Sequence, residues 1–351
     1  MKIKWGVIGC GGIADRRTLP GMMLAENAEL VAVMDTNPAA AEAVKEKYGA
    51  KYAFTTAEEL LAVDEVEAVY IASPVICHRE QAMAAAKAKK HILIEKPIAL
   101  SVEEAEVIAN ACKENGVKLG VALMMRFHSY HQKIKEIIAE GKLGEIVSMR
   151  GQFTCWFPDM PNNWRQAKAT AGGGAFMDMG VHCLDLLQYL SGLQVKEVAA
   201  ISGTQIFDYE VEDAAGVVMR MNNGAIAYVD ANFNLPDAGV VSKLEIYGTE
   251  GSIVASGTLG QVEGGTVQVT ITGNQGAYNA QQDRKDPESY VMEAELGNMY
   301  TKEIEGFGKA ILEDTEPPVP AEDGLYIQKI VAAAYQSNDT KTIVKIKKSC
   351  L

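Results

Sequence analysis

Basic residues are too few in this chain for a nucleic-acid face. There are 33 lysines and arginines against 46 aspartates and glutamates in 351 residues, a formal charge of −13. Phosphate backbones call for the opposite balance, so nucleic acid is excluded as a partner. No apolar run approaches the ~20 residues of a membrane span, which predicts no membrane partner. The apolar stretch at residues 5–8 is short and leads straight into glycines, unlike a secretory leader. The six cysteines, at positions 10, 77, 112, 155, 183 and 350, form no CxxC pair. Scattered cysteines in a long chain read as reduced core thiols, which predicts a cytoplasmic location. No internal repeat is present.

What remains is an ordinary globular composition, 48% hydrophobic and 23% charged, long enough for two domains. The first third alternates short apolar strands ("IKWGVIG", "ELVAVMD", "AVYIAS", "HILIEK", "KLGVAL") with amphipathic helices. That alternation is the signature of a parallel sheet covered on both faces. Ser101 with Glu104 predicts a capping box, and Gly116 a helix stop. The fold class is therefore α/β, with a Rossmann dinucleotide-binding domain over residues 1–123. From residue 124 the texture becomes β-rich, with strands gathered in one stretch and helices set apart. Residues 124–351 are predicted to form an α+β domain with a large, mostly antiparallel open sheet. Asn222, Asn223 and Gly224 mark a hairpin within it. The polar stretch at 274–290 reads as a loop.

"GVIGCGGIA" places Gly9, Gly11 and Ala14 in GxGxxA spacing between the first strand and a helix, with Gly12 and Ile13 completing the turn. Glycine is needed where the backbone turns tightly and where a pyrophosphate must approach it, and the helix N-terminus then faces the phosphates. Asp35, followed by Thr36, ends the second strand about twenty residues on, where a carboxylate accepts from the adenosine ribose and repels a 2′-phosphate. NAD is thus favoured over NADP, although Arg16 and Arg17 stand within reach of such a phosphate. Ser73, Pro74 and His78 follow the next strand, at the carboxyl end where ligands sit. His78 has two readings, a cofactor contact or a packed capping residue.

"HILIEKPIAL" ends a core strand on Glu95, Lys96 and Pro97. Proline removes a donor and restricts Lys96 to extended geometry, which aims the lysine. Glu95 beside it is placed to pair with a charge or hold a ribose. In "AGGGAFMDMGVHCLDLLQYLSG", Asp178 and His182 are four apart on one predicted helix, with Asp185 three residues further along the same face. A carboxylate beside an imidazole suits a general base removing a hydroxyl proton. A metal centre is not expected, because no HExxH, CxxC or third histidine stands at ligand spacing. His128 and His131 either line a pocket or pack at a helix start.

Taken in order, GxGxxA, Asp35, SPxxxH, EKP, Arg126-Phe127, Trp164-Arg165 and GGGxxxDxGxHxxD resemble the Gfo/Idh/MocA oxidoreductases across essentially the whole chain. The resemblance implies a cis Lys96–Pro97 bond and a C-terminal open sheet that faces the active site and joins subunits into homodimers or homotetramers. It assigns Lys96 to the reacting oxygen and the nicotinamide ribose, and His182 to acid/base work. Asp178 binds substrate or orients the histidine, and Arg126, Trp164 and Arg165 line the sugar pocket. Two departures stand out: Val75 where the family often has asparagine, and Lys89 where a glycine is usual.

The expected activity is reversible NAD-dependent oxidation of a secondary alcohol on a carbohydrate (sugar, polyol or glycoside), with C3 of a glucoside as the narrower expectation. Two rivals are a redox-neutral enzyme that retains its NAD and a dinucleotide-dependent sensor. The residues named as shaping specificity are Tyr130, Trp156, Trp164 and the 273–290 loop.

Overall fold

The structure, a computed structural model, describes residues 1–274, 276 and 287–346. Six strands build the first sheet: β1 (Ile3–Ile8), β2 (Ala28–Met34), β3 (Tyr52–Phe54), β4 (Ala68–Ile71), β5 (His91–Glu95) and β6 (Leu119–Ala122). Their order is 3-2-1-4-5-6, and every pair is parallel. This is the doubly wound arrangement that the alternating pattern predicts, and its switch point between β1 and β4 is where such sheets bind ligands.

Local chemistry sets the element ends. Asn37 caps the helix Pro38–Tyr48 by accepting from Ala39 N, and Gly49 and Gly116 close helices in the left-handed conformation. At Ser101 the box is only half formed. Its side chain accepts from Glu104 N, but Glu104 reaches Leu100 N rather than the Ser101 amide. Lys89 occupies a left-handed position, φ 59°, where a side chain is strained. Its ammonium offsets that cost by donating to Asn115 O and Oδ1, each at 3.0 Å.

Nine strands form the second sheet: β7 (Ile146–Thr154), β8 (Val195–Gly203), β9 (Ala214–Met221), β10 (Ile226–Asn232), β11 (Lys243–Gly248), β12 (Gly251–Ser256), β13 (Thr266–Ile271), β14 (Glu288–Val291) and β15 (Val344–Lys345). Their order is 14-13-12-11-7-10-9-8-15, with β7 and β10 parallel and the rest antiparallel. The Asn222-Asn223-Gly224 hairpin joins β9 to β10. The end of the stretch read as a loop instead pairs as the edge strand β14; a short edge strand carries too little apolar pattern to be seen beforehand.

The last helices return across the molecule. Met299–Leu312 lays Ile304 and Phe307 on the first sheet beside Trp5, whose ring centroid is 5.8 Å from that of Phe307. Val121 N donates to Val319 O at 3.1 Å, so the following segment runs along β6. One face of the dinucleotide-binding sheet is therefore closed by residues more than 170 positions away from it. Among the described residues, no helix is long and apolar enough to cross a membrane.

Candidate active site

A cleft of about 940 Å³ runs between the carboxyl ends of β1, β2, β4 and β5 and the inner face of the second sheet. Its floor on the first side is the glycine-rich turn. Gly9 has φ 97°, and a Cβ there would lie 2.8 Å from the Ala72–Ser73 backbone, so no other residue fits. A Cβ on Gly11 would meet nothing within 4 Å, which leaves an open seat for a phosphate. The first helical bond runs from Asp15 N to Gly11 O (3.0 Å), leaving the preceding amides without helical partners and available to an anion. Ala14 does not line the cleft; it is fully buried and lets the helix pack on the strand. Asp35 is fixed at the mouth, accepting from Cys10 N and Asn37 N, each at 2.9 Å. A dinucleotide fits this cradle: Gly9, Gly11, Gly12, Ile13, Asp35, Thr36, Ser73 and Pro74 all line it.

His78 resolves toward packing. It is buried, with Nδ1 3.1 Å from Pro97 O and Nε2 3.0 Å from Ser73 O. The neutral ring carries a single N–H and so donates to only one of these two carbonyls; placed between the Ser73 and Pro97 turns, it also lines the cleft. Burial pushes its imidazole down to about 4, against the opposing pull of those carbonyls.

At the inner end stand Lys96, Asp178 and His182. The Lys96–Pro97 bond is cis. The Lys96 ammonium donates to Asp178 Oδ1 (2.6 Å) and to Asp178 O (2.7 Å). Burial pushes the Asp178 carboxyl up, but Lys96, with Arg165 behind it, overrides this and holds it well below the usual carboxylate range. The expected carboxylate–imidazole pair is not what forms. The segment Phe176–Gly180 is a widened π turn ahead of the helix Val181–Ser191, so the four-residue spacing does not align Asp178 with the ring. His182 lies against the edge of Phe153, with a buried Nδ1 that has no partner. Burial first, then the Lys96 charge, pushes this imidazole well below its usual value, so it stands neutral and able to accept a proton.

Two of the three glycines before Asp178, Gly173 and Gly174, explain themselves here. A Cβ on Gly173 would fall 1.9 Å from the Tyr335 hydroxyl, and one on Gly174 would fall 2.0 Å from Glu212 O. Glu212 also accepts from Gly174 N (2.9 Å), Phe176 N (3.0 Å) and the Tyr335 hydroxyl (2.8 Å). This half-buried carboxylate caps the turn that carries Asp178 and His182. Sequence reading missed it, because a glutamate at a strand entry gives no local signal.

Arg126 corrects a second expectation. It does not line the cleft: its guanidinium is buried in a bidentate pair with Asp185 and also bonds Asp323 at 2.7 Å. Asp185 accordingly pairs with Arg126. Trp164 and Arg165 do line the cleft, with the guanidinium 4.4 Å from the indole centroid. Tyr130 stacks on His128, and Trp156 is exposed outside the cleft; residues 275 and 277–286 of the loop lie outside the described residues. His128 caps a helix through Tyr130 N, and His131 is buried between Met125 O and Thr258. The cleft walls that sequence reading did not name include Phe153, Thr154, Cys155, Phe157, Asp237 and Gln261, brought in by the second sheet and its loops. Among the described residues there is no cluster of three metal-ligating side chains.

Comparison with known proteins agrees with this architecture. Residues 3–123 match the model of the oxidoreductase family with an NAD-binding Rossmann fold, and residues 131–254 match the GFO/IDH/MocA C-terminal domain. The chain is 32% identical to 1,5-anhydro-D-fructose reductase of Ensifer adhaerens over 324 residues, 92% of each chain. It is 29% identical to myo-inositol 2-dehydrogenase of Thermotoga maritima, over 97% of this chain and 98% of that one. Levoglucosan dehydrogenase in complex with NADH superposes with a TM-score of 0.88 at 26% identity, covering 99% of this chain and 100% of the other. With a glycine-rich NAD(P) cradle opposite a lysine, an aspartate and a histidine in one cleft, the chain belongs to the Gfo/Idh/MocA family of NAD(P)-dependent sugar and polyol oxidoreductases.

Proposed function

We propose that the cleft interconverts a secondary alcohol and a ketone on a sugar, polyol or glycoside, with NAD as the preferred cofactor. The observation that carries this reading is the convergence of Lys96, Asp178 and His182 at one end of a cleft whose other end holds the glycine turn and Asp35. The bound nicotinamide supplies the hydride acceptor, or the donor in the reverse direction. His182, held neutral, takes the hydroxyl proton as the C–H bond breaks, and returns it when a carbonyl is reduced. The Lys96 ammonium stabilises the developing oxyanion, and the fixed Asp178 keeps that ammonium in place. Trp164 and Arg165 hold the sugar ring and its hydroxyls. Asp35 at the end of the second strand supports NAD over NADP, since a carboxylate there repels a 2′-phosphate.

Retained cofactor is the second reading. Arg17 Nε donates to Gln261 Oε1 at 2.8 Å, linking the helix after the glycine turn to a loop of the second domain at the rim of the cleft. A link there favours slow release and redox-neutral chemistry by transient oxidation. The sensor reading is disfavoured by the intact Lys96 and His182.

Self-association through the second sheet is supported by its outer face, where Ile201 is 80% exposed and Val218 42%. A homodimer or homotetramer covers that face, which sedimentation at several concentrations measures. A cytoplasmic location is supported by the free state of the five described cysteines.

Absorbance at 340 nm with NAD or NADP tests the reaction over a panel of free sugars, inositols and glycosides, glucosides scored at C3 among them. A rise with NAD that His182→Ala abolishes establishes the dehydrogenase. Substrate loss without a rise moves the assignment to the retained-cofactor reading. No reaction, with cofactor bound, overturns both in favour of a sensor.

A further inference from the structure

Beneath the Glu-Lys-Pro turn lies a buried hydrogen-bond chain that the proposed chemistry does not use. Tyr70, in the middle of β4, is fully buried. Its hydroxyl accepts from Thr18 Oγ1 at 2.9 Å and donates to Glu95 Oε1 in a short bond. The second oxygen of Glu95 accepts from the Lys96 amide at 3.2 Å. Thr18 closes the widened turn Ala14–Thr18 that follows the glycine-rich loop. One line of side chains therefore runs from the phosphate seat, under the sheet's edge, to the residue that carries the ammonium.

We propose that Tyr70 is a positioning residue, whose hydroxyl keeps Glu95 an oriented carboxylate at the Lys96 end of the cofactor cleft and so links the phosphate seat to the catalytic turn. The proposal rests on the reading above only in taking Lys96 as the working end of the cleft. Burial raises the Glu95 carboxyl above its usual range, while Tyr70, the Lys96 ammonium and amide, and Arg165 pull it back. From the helix Met299–Leu312, Glu303 and Tyr300 face the same space. Burial and then Glu95 push the Glu303 carboxyl well up, so a second negative charge beside Glu95 is disfavoured. The Glu95 carboxylate favours the cationic nicotinamide of NAD over neutral NADH in the same cleft.

Binding of NAD and of NADH to the full chain, read by Trp164 fluorescence between pH 5 and 9, tests this without any sugar. In the wild type, NAD affinity is expected to fall on the acid side as Glu95 protonates, with NADH affinity little changed. Tyr70→Phe keeps the ring and its packing, and moves that fall to higher pH by about one unit or more. Thr18→Val moves it the same way by less, since it weakens the donor instead of removing it. Glu95→Gln abolishes it. A Tyr70→Phe profile that overlays the wild type, or an acid fall that survives in Glu95→Gln, overturns the proposal. So does a wild type in which NAD and NADH respond alike. A failure to find any sugar substrate leaves these measurements intact, so the two readings fail separately.

Discussion

Lys96, at the end of the first sheet, is bonded twice to Asp178, through the carboxylate at 2.6 Å and through the main-chain oxygen at 2.7 Å. The two residues are 82 positions apart and come from different domains. Their bond lies at the inner end of the cleft, which both side chains line. Lys96→Met is expected to lower kcat by about a thousandfold or more, with a much smaller change in NAD affinity. Asp178→Asn loses the anchor but keeps the shape, and a smaller fall in kcat is expected from it. Steady-state kinetics beside cofactor titration separates these effects; equal loss in both measurements counts against a role in the chemical step.

His182 is pushed well below the ordinary imidazole range by burial and then by the Lys96 charge. It is already neutral at pH 6, so kcat is expected to stay level, within about twofold, across pH 6 to 8. A kcat profile with a clear acid limb near 6.5 places a normal histidine at the centre and removes the argument from burial.

Cofactor choice turns on Asp35. Asp35→Ser removes the carboxylate and leaves Arg16, which also lines the cleft, within reach of a 2′-phosphate. NADP affinity is expected to rise about tenfold or more, and NAD affinity to fall. Fluorescence titration of both cofactors checks this, and an unchanged ratio rules out Asp35 as the discriminator.

Arg126 is paired with Asp185 and Asp323, which predicts a structural role. Arg126→Leu leaves Asp185 buried without its partner, at a cost of about 3–5 kcal/mol. Urea denaturation should show that loss, while the KM for sugar in the folded fraction stays near wild type. A raised KM with unchanged stability restores the pocket-lining role.

Buried histidines, His78 and His131 among them, contribute to the acid tolerance of the fold. His78 and His131 are held down to about 4 and about 3 by burial, against 6.5 for the ordinary group. A depressed histidine is neutral in the folded state and takes a proton on unfolding. Its stabilising share is therefore complete above pH 6.5 and is lost as pH falls toward the folded value. By pH 5 the loss is about 2 kcal/mol per histidine. Thermal melts from pH 8 to pH 5 should fall accordingly, and His131→Gln should flatten the slope.

Much of the cofactor half was legible in advance because its constraints are local. A glycine turn with φ 97° at Gly9, a carboxylate two residues before a helix cap, and apolar strands at helix-sheet spacing all act within a few residues. The substituted Lys89 was legible as a helix end built differently, though not the Asn115 contacts that stabilise it. The second half was less so. A fourfold spacing suggested that Asp178 faces His182, yet the turn there is widened and the carboxylate turns to Lys96. Arg126 looked like a ligand because charge in a motif is ambiguous until its partners are known.

The order of motifs along the chain determined the family, the parallel sheet and the glycine-rich cradle, since backbone geometry and hydrophobic period are written residue by residue. Tertiary structure alone decided the partners of the charged groups. It gave Lys96 to Asp178, Arg126 to Asp185 and Glu95 to Tyr70, and it closed the first sheet with a helix from the far end of the chain. Those choices depend on long-range contacts and on desolvation, which no local window of sequence contains.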